Sequence, residues 1–284
     1  MPAIPEPFDD GPPPVLQVAS WAGSDDLGHG FFGRRGGFSG GELASLNLSE
    51  RVGDRPWTVG ANWTQVRRAL PGLQVARMQQ MHGTRVVRVE SDAQQVGEAD
   101  GMLTTQSGIG LAVLTADCVP LLASAPRHGA VMALHAGWRG TLAGIAAVGL
   151  RMAETDLGIP PADWQVALGP SIGGCCYQVE ADIGRQFVDR WGAMPDAWQP
   201  AGGHGQLDLR RVNRAILVAS GVRPASIVDV GPCTSCARDE FYSHRRSGGR
   251  AGRQLSLIGR LGPRPSAWCP LPEVRHQRTS GSGH

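Results

Sequence analysis

The sequence lacks a charge imbalance: 27 Lys and Arg stand against 25 Asp and Glu in 284 residues, a formal net charge of +2. So balanced a chain offers no electrostatic footprint for nucleic acid, and no nucleic-acid partner is expected. It also lacks an apolar run of bilayer-spanning length, so no membrane partner is expected. The first residues, "MPAIPEPFDDGPPPVLQ", are Pro-rich and acidic rather than basic and then apolar, which is not a targeting signal. The six cysteines, at 118, 175, 176, 233, 236 and 269, form no dense, regular framework. That pattern reads as reduced thiols in a cytoplasmic protein. Finally, there is no internal repeat and no long linker. "GGHG" at 202–205 is the best internal loop, and it is short.

What remains is a chain that is 41% hydrophobic and long enough to bury a substantial core. Residues 1–14 read as a disordered lead-in, 15–270 as one compact domain and 271–284 as a flexible polar tail. "TRVVRVE" (84–90) alternates as a half-buried strand does. "GLAVLTA" (110–116), "VPLLAS" (119–124) and "AVMALH" (130–135) are short apolar runs that suit buried strands, and "SIVDVG" (226–231) suits one more. "APRHG" (125–129) reads as a turn. Helical spacing appears over 140–155, ended by Gly158 and Pro160, and again over 179–191 and 208–220, the last with Asp208 as N-cap. Strands and helices mix without strict alternation. The expected fold class is therefore mixed α/β (α+β) and layered, not doubly wound.

Three residues with ligand chemistry sit where strands should end: His82 in "MQQMHGTR", Cys118 in "TADCVP" and His135 in "ALHAGWRG". Taken alone, Cys118 reads as a small core hydrophobe, and each His as a turn residue. The neighbours argue otherwise. Asp117 precedes Cys118, and a carboxylate is costly to bury without a partner. His135 leads into a glycine-flanked turn and a helix start, which can present N–H groups to an anion, with Arg139 beside them. Two imidazoles and a thiolate would hold zinc with a fourth position open. The same three could equally work without metal, as a thiol with a histidine base. Spacing alone leaves both open.

Two other motifs carry cysteine. "CTSC" (233–236) has the spacing of a zinc knuckle or a redox pair, but no second C-x-x-C or H-x-x-x-H follows to complete a zinc site, and a thioredoxin-like context is missing. The side chains of Cys175 and Cys176, in "GCCYQ", should diverge on an extended strand. Both motifs therefore read as structural. "SHRRSGGRAGR" (243–253) reads either as a solvated loop or as a phosphate- or carboxylate-binding one.

"QQMHG", "ADGMLTTQSGIGLAVLTADCVPLL", "ALHAGWRG", "LGPSIGGCCYQV" and "CTSCARDEFYSHRRSGGRAGRQLSLI" resemble, in order, the blocks of the laccase-domain family, and "LNLSERVGDRPWTVGANW" (46–63) resembles its N-terminal block. The resemblance covers about residues 20–260. It implies a single four-layer, sandwich-like α/β domain with mixed sheets. It also implies one metal site, whose ligands here are His82, Cys118 and His135, with zinc as the metal and copper in some members. The Asn of the Asn-Leu pair at 47–48, Asn47, is carried over as a substrate contact, and Arg139, Arg245 and Arg246 as the phosphate cradle. Four positions depart from the family pattern: Met81, Trp63, Cys236 and His244.

The implied activity is purine nucleoside phosphorolysis of adenosine, inosine or guanosine, with adenosine deamination as a side activity. The partners are then a purine nucleoside and phosphate, with the chain a monomer or small homo-oligomer. One rival is a copper-dependent polyphenol oxidase. Against it, the chain has only eight His and no His-x-His pair, too few to build several copper centres. Another rival, from another class, is a cell-wall precursor editing protein in which the trio serves the fold.

Overall fold

The computed structural model describes residues 13–21, 24, 26–90 and 95–262. The expected lead-in (residues 1–12 of it), the tail and Cys269 lie outside the described residues.

Two six-stranded mixed sheets pack face to face. The first runs, edge to edge, Val15–Leu16, Leu27–Phe32, Gln254–Arg260, Ile109–Thr115, Gln74–Gln79 and Gln95–Glu98. The second runs Ile227–Asp229, Gln165–Leu168, Val119–Ala125, Ala130–Ala136, Gly101–Thr104 and Val86–Arg88. Alternation along the strands explains the layering. In Ile109–Thr115, Leu111 and Val113 face the inter-sheet core, with Leu122, Val131, Ala133 and Phe31. Ala112, from the same strand, faces the other way with Leu255, Leu257 and helix α1 (Pro56–Ala69). In the second sheet, Leu121, Met132 and Leu134 turn outward onto helix α3 (Ile145–Leu157) and helix α5 (Leu209–Ala219). The order is helix, sheet, sheet, helices, the mixed four-layer arrangement expected.

The helices form for local reasons. Helix α1 starts with Pro at its first position and buries Val59, Trp63 and Val66 on one face. The periodicity expected over 140–155 is in fact broken in two. Helix α2 (Trp138–Ala143) ends at Gly144, whose φ of 85° is left-handed, and α3 then begins at Ile145. Gly149 lets α3 sit close on the sheet, since a Cβ there would lie 2.8 Å from Met132 Sδ. Helix α4 (Ala181–Trp191) starts two residues later than expected, because Gln178–Glu180 is a strand. In α5, Asp208 caps as expected, accepting from the N–H groups of Arg210 and Arg211. The short loop expected at "GGHG" is a hairpin turn: Gly202 and Gly203 join Trp198–Ala201 to His204–Leu207, and the motif's last two residues begin the second strand. Among the described residues, no helix is long and apolar enough to cross a membrane.

Topology gathers four chain segments at one end of the sandwich. Gln74–Gln79 runs parallel to Ile109–Thr115, so the segments after both strands emerge together. The second of these passes into the other sheet through Asp117 and Cys118, entering at Val119, which pairs with Ala136. Gly101 pairs with Leu134, which brings Asp100 to the same end.

Candidate metal centre and cleft

His82, Cys118 and His135 meet at that end. Their ligand atoms all lie within 4.8 Å of one another, and the two imidazole rings stand edge to face with centroids 4.8 Å apart. His135 is buried, Cys118 half-buried and His82 exposed, so the cluster opens to solvent on the His82 side.

The backbone is strained where it delivers two of them. Among the described residues, His82 (φ 62°) and Asp117 (φ 88°) are the only non-glycine positions with left-handed backbone. Such conformations cost energy and persist where surrounding contacts over-determine them. Those contacts are present. Gln80 extends the ladder with its side chain, donating to Leu114 O at 2.7 Å and accepting from Leu114 N at 2.8 Å. Buried Asp100 then clamps the turn, accepting from the N–H groups of Met81, His82 and Gly83 at 2.7–3.1 Å. Asp117 is held by Thr234 Oγ1 at 2.7 Å and by Arg245 N–H at 2.7 Å. The partner that a buried carboxylate needs is supplied, and it is a loop from the far end of the chain.

Asp100 also reaches the cluster itself. Its Oδ1 lies 2.8 Å from His135 Nδ1, which leaves Nε2 as the His135 nitrogen free for the cluster. Burial alone would raise the Asp100 pKa; the hydrogen bond to His135, with those from Gly83 and His82, holds it below the usual carboxylate range. For Cys118, burial is outweighed by the charge of His135 and by hydrogen bonds from both imidazoles, and the thiol falls to about 6. For His135 burial is likewise outweighed, by Cys118 and Asp100, and it rises to about 9. The shift at Cys118 favours the thiolate, the form in which that residue ligates a metal.

Several features fit a metal ion here. The donors are two imidazoles and a low-pKa thiol, a carboxylate fixes one tautomer, and a glycine makes room: a Cβ on Gly137 would lie 3.0 Å from His82 Cδ2 and 3.1 Å from Cys118 Sγ. In the sequence Asp100 carries only a local signal, a carboxylate before Gly101 at the start of an apolar run.

Beside the cluster is a cleft of about 390 Å³ lined by Trp138, Tyr177, Gln178, Val179, Glu180, Ile183, His204 and Arg245. Trp138 follows Gly137 directly. Tyr177 is pushed up to about 12, first by burial and next by the charge of Cys118, so it stays a neutral phenol. The Arg245 guanidinium lies over the Tyr177 ring, 4.9 Å from its centroid, and donates to Gln178 O at 2.6 Å. Arg139 is exposed and packs over Trp138.

The other expected substrate contacts sit differently. The Arg246 guanidinium is engaged by the carbonyls of Thr234, Ser235 and Phe241. Asn47 is fully buried, donating to Ser49 O and Asp54 Oδ2 and accepting from the N–H groups of Ser49 and Arg253. Trp63 is buried, with Nε1 donating to Leu48 O. Met81 and His244 are exposed.

Residues 28–261 match the family model described as multi-copper polyphenol oxidoreductase laccase. The chain belongs to the laccase-domain family. Laccase-domain relatives include the purine nucleoside phosphorylase YlmD of Geobacillus stearothermophilus, 38% identical over 242 residues (80% of this chain, 88% of the relative). A purine nucleoside phosphorylase of Deinococcus radiodurans is 37% identical over 250 residues, 87% of this chain and 92% of the relative. The crystal structure of YlmD from Geobacillus stearothermophilus superposes with a TM-score of 0.82 at 35% identity, covering 91% of this chain and all of that one.

Proposed function

We propose that the protein is a purine nucleoside phosphorylase, acting on adenosine, inosine and guanosine with phosphate in one catalytic domain, and that it deaminates adenosine as a side reaction. The observation that carries this reading is the His82/Cys118/His135 cluster beside a cleft lined by Trp138, Tyr177 and Arg245, in a chain whose relatives carry that name.

In phosphorolysis, a phosphate oxygen bonds to the ribose anomeric carbon as the bond to the purine nitrogen breaks and its electron pair leaves with the base. Arg245 and Arg139 are the cations placed to bind the incoming phosphate. Trp138 and Tyr177 offer ring faces to the purine. As a neutral phenol, Tyr177 donates a hydrogen bond to an acceptor on the departing base. His82, Cys118 and His135 would hold a zinc ion, which would supply Lewis acidity there. Asp100 keeps His135 in the tautomer that binds metal. A three-ligand donor set of this kind is the catalytic rather than the structural type and would supply an activated water, which is the chemistry that hydrolytic attack at purine C6 needs.

The test is incubation with adenosine, with and without phosphate, followed by chromatography. Free adenine only with phosphate is the expected result, and inosine without phosphate would report deamination. Oxidised phenol on copper loading, with no nucleoside turnover, would replace this reading with the oxidase.

A further inference from the structure

The two cysteine motifs outside the cleft converge. The sulfurs of Cys175, Cys176, Cys233 and Cys236 all lie within 4.8 Å of one another. Cys175 and Cys176 do not diverge along a strand. They occupy a turn in which Gly173 O accepts from the N–H groups of Cys176 and Tyr177, and their sulfurs are 3.8 Å apart. Cys233 and Cys236 occupy a matching turn, in which Cys233 O accepts from the N–H groups of Cys236 and Ala237. Thus the C-x-x-C pair, which in sequence lacked two further ligands, finds them in space.

We propose that Cys175, Cys176, Cys233 and Cys236 form a tetrathiolate zinc site, separate from the His82/Cys118/His135 cluster. The geometry fits the ion. Zinc–sulfur bonds of about 2.3 Å in a tetrahedron put sulfurs about 3.8 Å apart. The Cys175–Cys236 separation is 3.8 Å and the Cys176–Cys236 separation 3.4 Å. The separations exceed the ~2.05 Å of a disulfide, and all four thiols are free. The Gly173 N–H also donates to Cys233 Sγ at 3.2 Å, the kind of bond that steadies a metal-bound thiolate. Four protein sulfurs leave no open position, so the site is structural rather than catalytic.

Its place in the fold gives it a task. The two turns are otherwise joined by the Thr234 N–H donating to Ser171 O and by a bridge between Ser171 and Cys233. One turn leads into Tyr177, a wall of the cleft. The other carries Thr234, whose hydroxyl holds Asp117 next to Cys118. Zinc would fasten the turns to each other and, through them, set the cleft wall against the catalytic cluster. The proposal does not depend on which reaction the cleft performs.

The experiment is zinc content per folded chain, with X-ray absorption at the zinc edge, on the full chain purified under reducing conditions. Wild type should carry two zinc ions. Cys118→Ala and His82→Ala, which leave the four cysteines untouched, should each keep one, surrounded only by sulfur at about 2.3 Å. Cys233→Ser/Cys236→Ser should lose that all-sulfur signal. A folded Cys118→Ala or His82→Ala chain without zinc overturns the proposal. So does zinc with nitrogen or oxygen neighbours in those variants, or a Cys176–Cys236 disulfide found by mass spectrometry in the purified wild type.

Discussion

His135 Nδ1 lies 2.8 Å from Asp100 Oδ1, with both side chains almost wholly buried, and the same carboxylate accepts the backbone N–H of His82. One residue therefore orients one imidazole and positions the backbone of the other. Asp100→Asn keeps the shape but loses the charge and presents donors to donors. Outer partners of this kind are worth about 10–100-fold in metal affinity. Zinc affinity, read by competition with a chromophoric chelator, should fall by that factor. An unchanged affinity would make Asp100 a purely structural residue.

A Cβ at Gly137 would press on the cluster, 3.0 Å from His82 Cδ2 and 3.1 Å from Cys118 Sγ. The Gly137 φ of −72° suits any residue, so the constraint is space rather than conformation. Gly137→Ala should therefore cut zinc binding and turnover together. Its thermal midpoint should move little when compared in metal-free protein. A variant that binds zinc normally would show that the cluster yields by a few tenths of an ångström.

How much of this was legible in the chain turns on reach. His82, Cys118 and His135 each announce themselves locally, as a ligand type beside a strand breaker, and the cluster joins all three. Asp117 could be read as needing a partner, but not that the partner was Thr234, which comes from a loop 117 residues away in sequence. The four cysteines failed for the same reason: two motifs, each incomplete alone, complete each other only after folding. Helix α1 is hard to read in the sequence because Thr58, Gly60, Asn62 and Trp63 are weak helix formers; the buried face of Val59, Trp63 and Val66 decides its structure. Gly144 was the reverse case, where continuous apolar spacing concealed a left-handed break.

His29 gives the fold an acid limit. It lies in the strand Leu27–Phe32, its side chain buried edge-on to the Trp21 ring, with Nε2 accepting the Val18 N–H at 2.9 Å. Burial lowers its pKa from 6.5 to about 4. A depressed folded pKa means that the unfolded chain takes up the proton first. The contribution to stability is therefore intact above pH 6.5 and lost as pH falls through 4, amounting to about 3 kcal/mol. Urea unfolding at pH 7 and pH 4.5 should show a larger acid loss in wild type than in His29→Gln. Equal losses would remove His29 from the account.

Arg245 and Arg246 are neighbours in sequence with opposite expected phenotypes. The Arg245 side chain lines the cleft, while its hold on Asp117 is made by backbone N–H and survives truncation. Arg245→Ala should therefore keep the thermal midpoint and raise KM for phosphate. The Arg246 guanidinium satisfies three carbonyls of the loop that carries Thr234. Arg246→Ala leaves those acceptors without their donor, at about 1–3 kcal/mol, and should lower stability first, with activity following the folded fraction. Measuring phosphate KM and urea midpoints on both variants separates the roles. If Arg246→Ala stays as stable as wild type while its phosphate KM rises, Arg246 belongs to the phosphate cradle after all, and the loop is held by Asp117 and the cysteine turns alone.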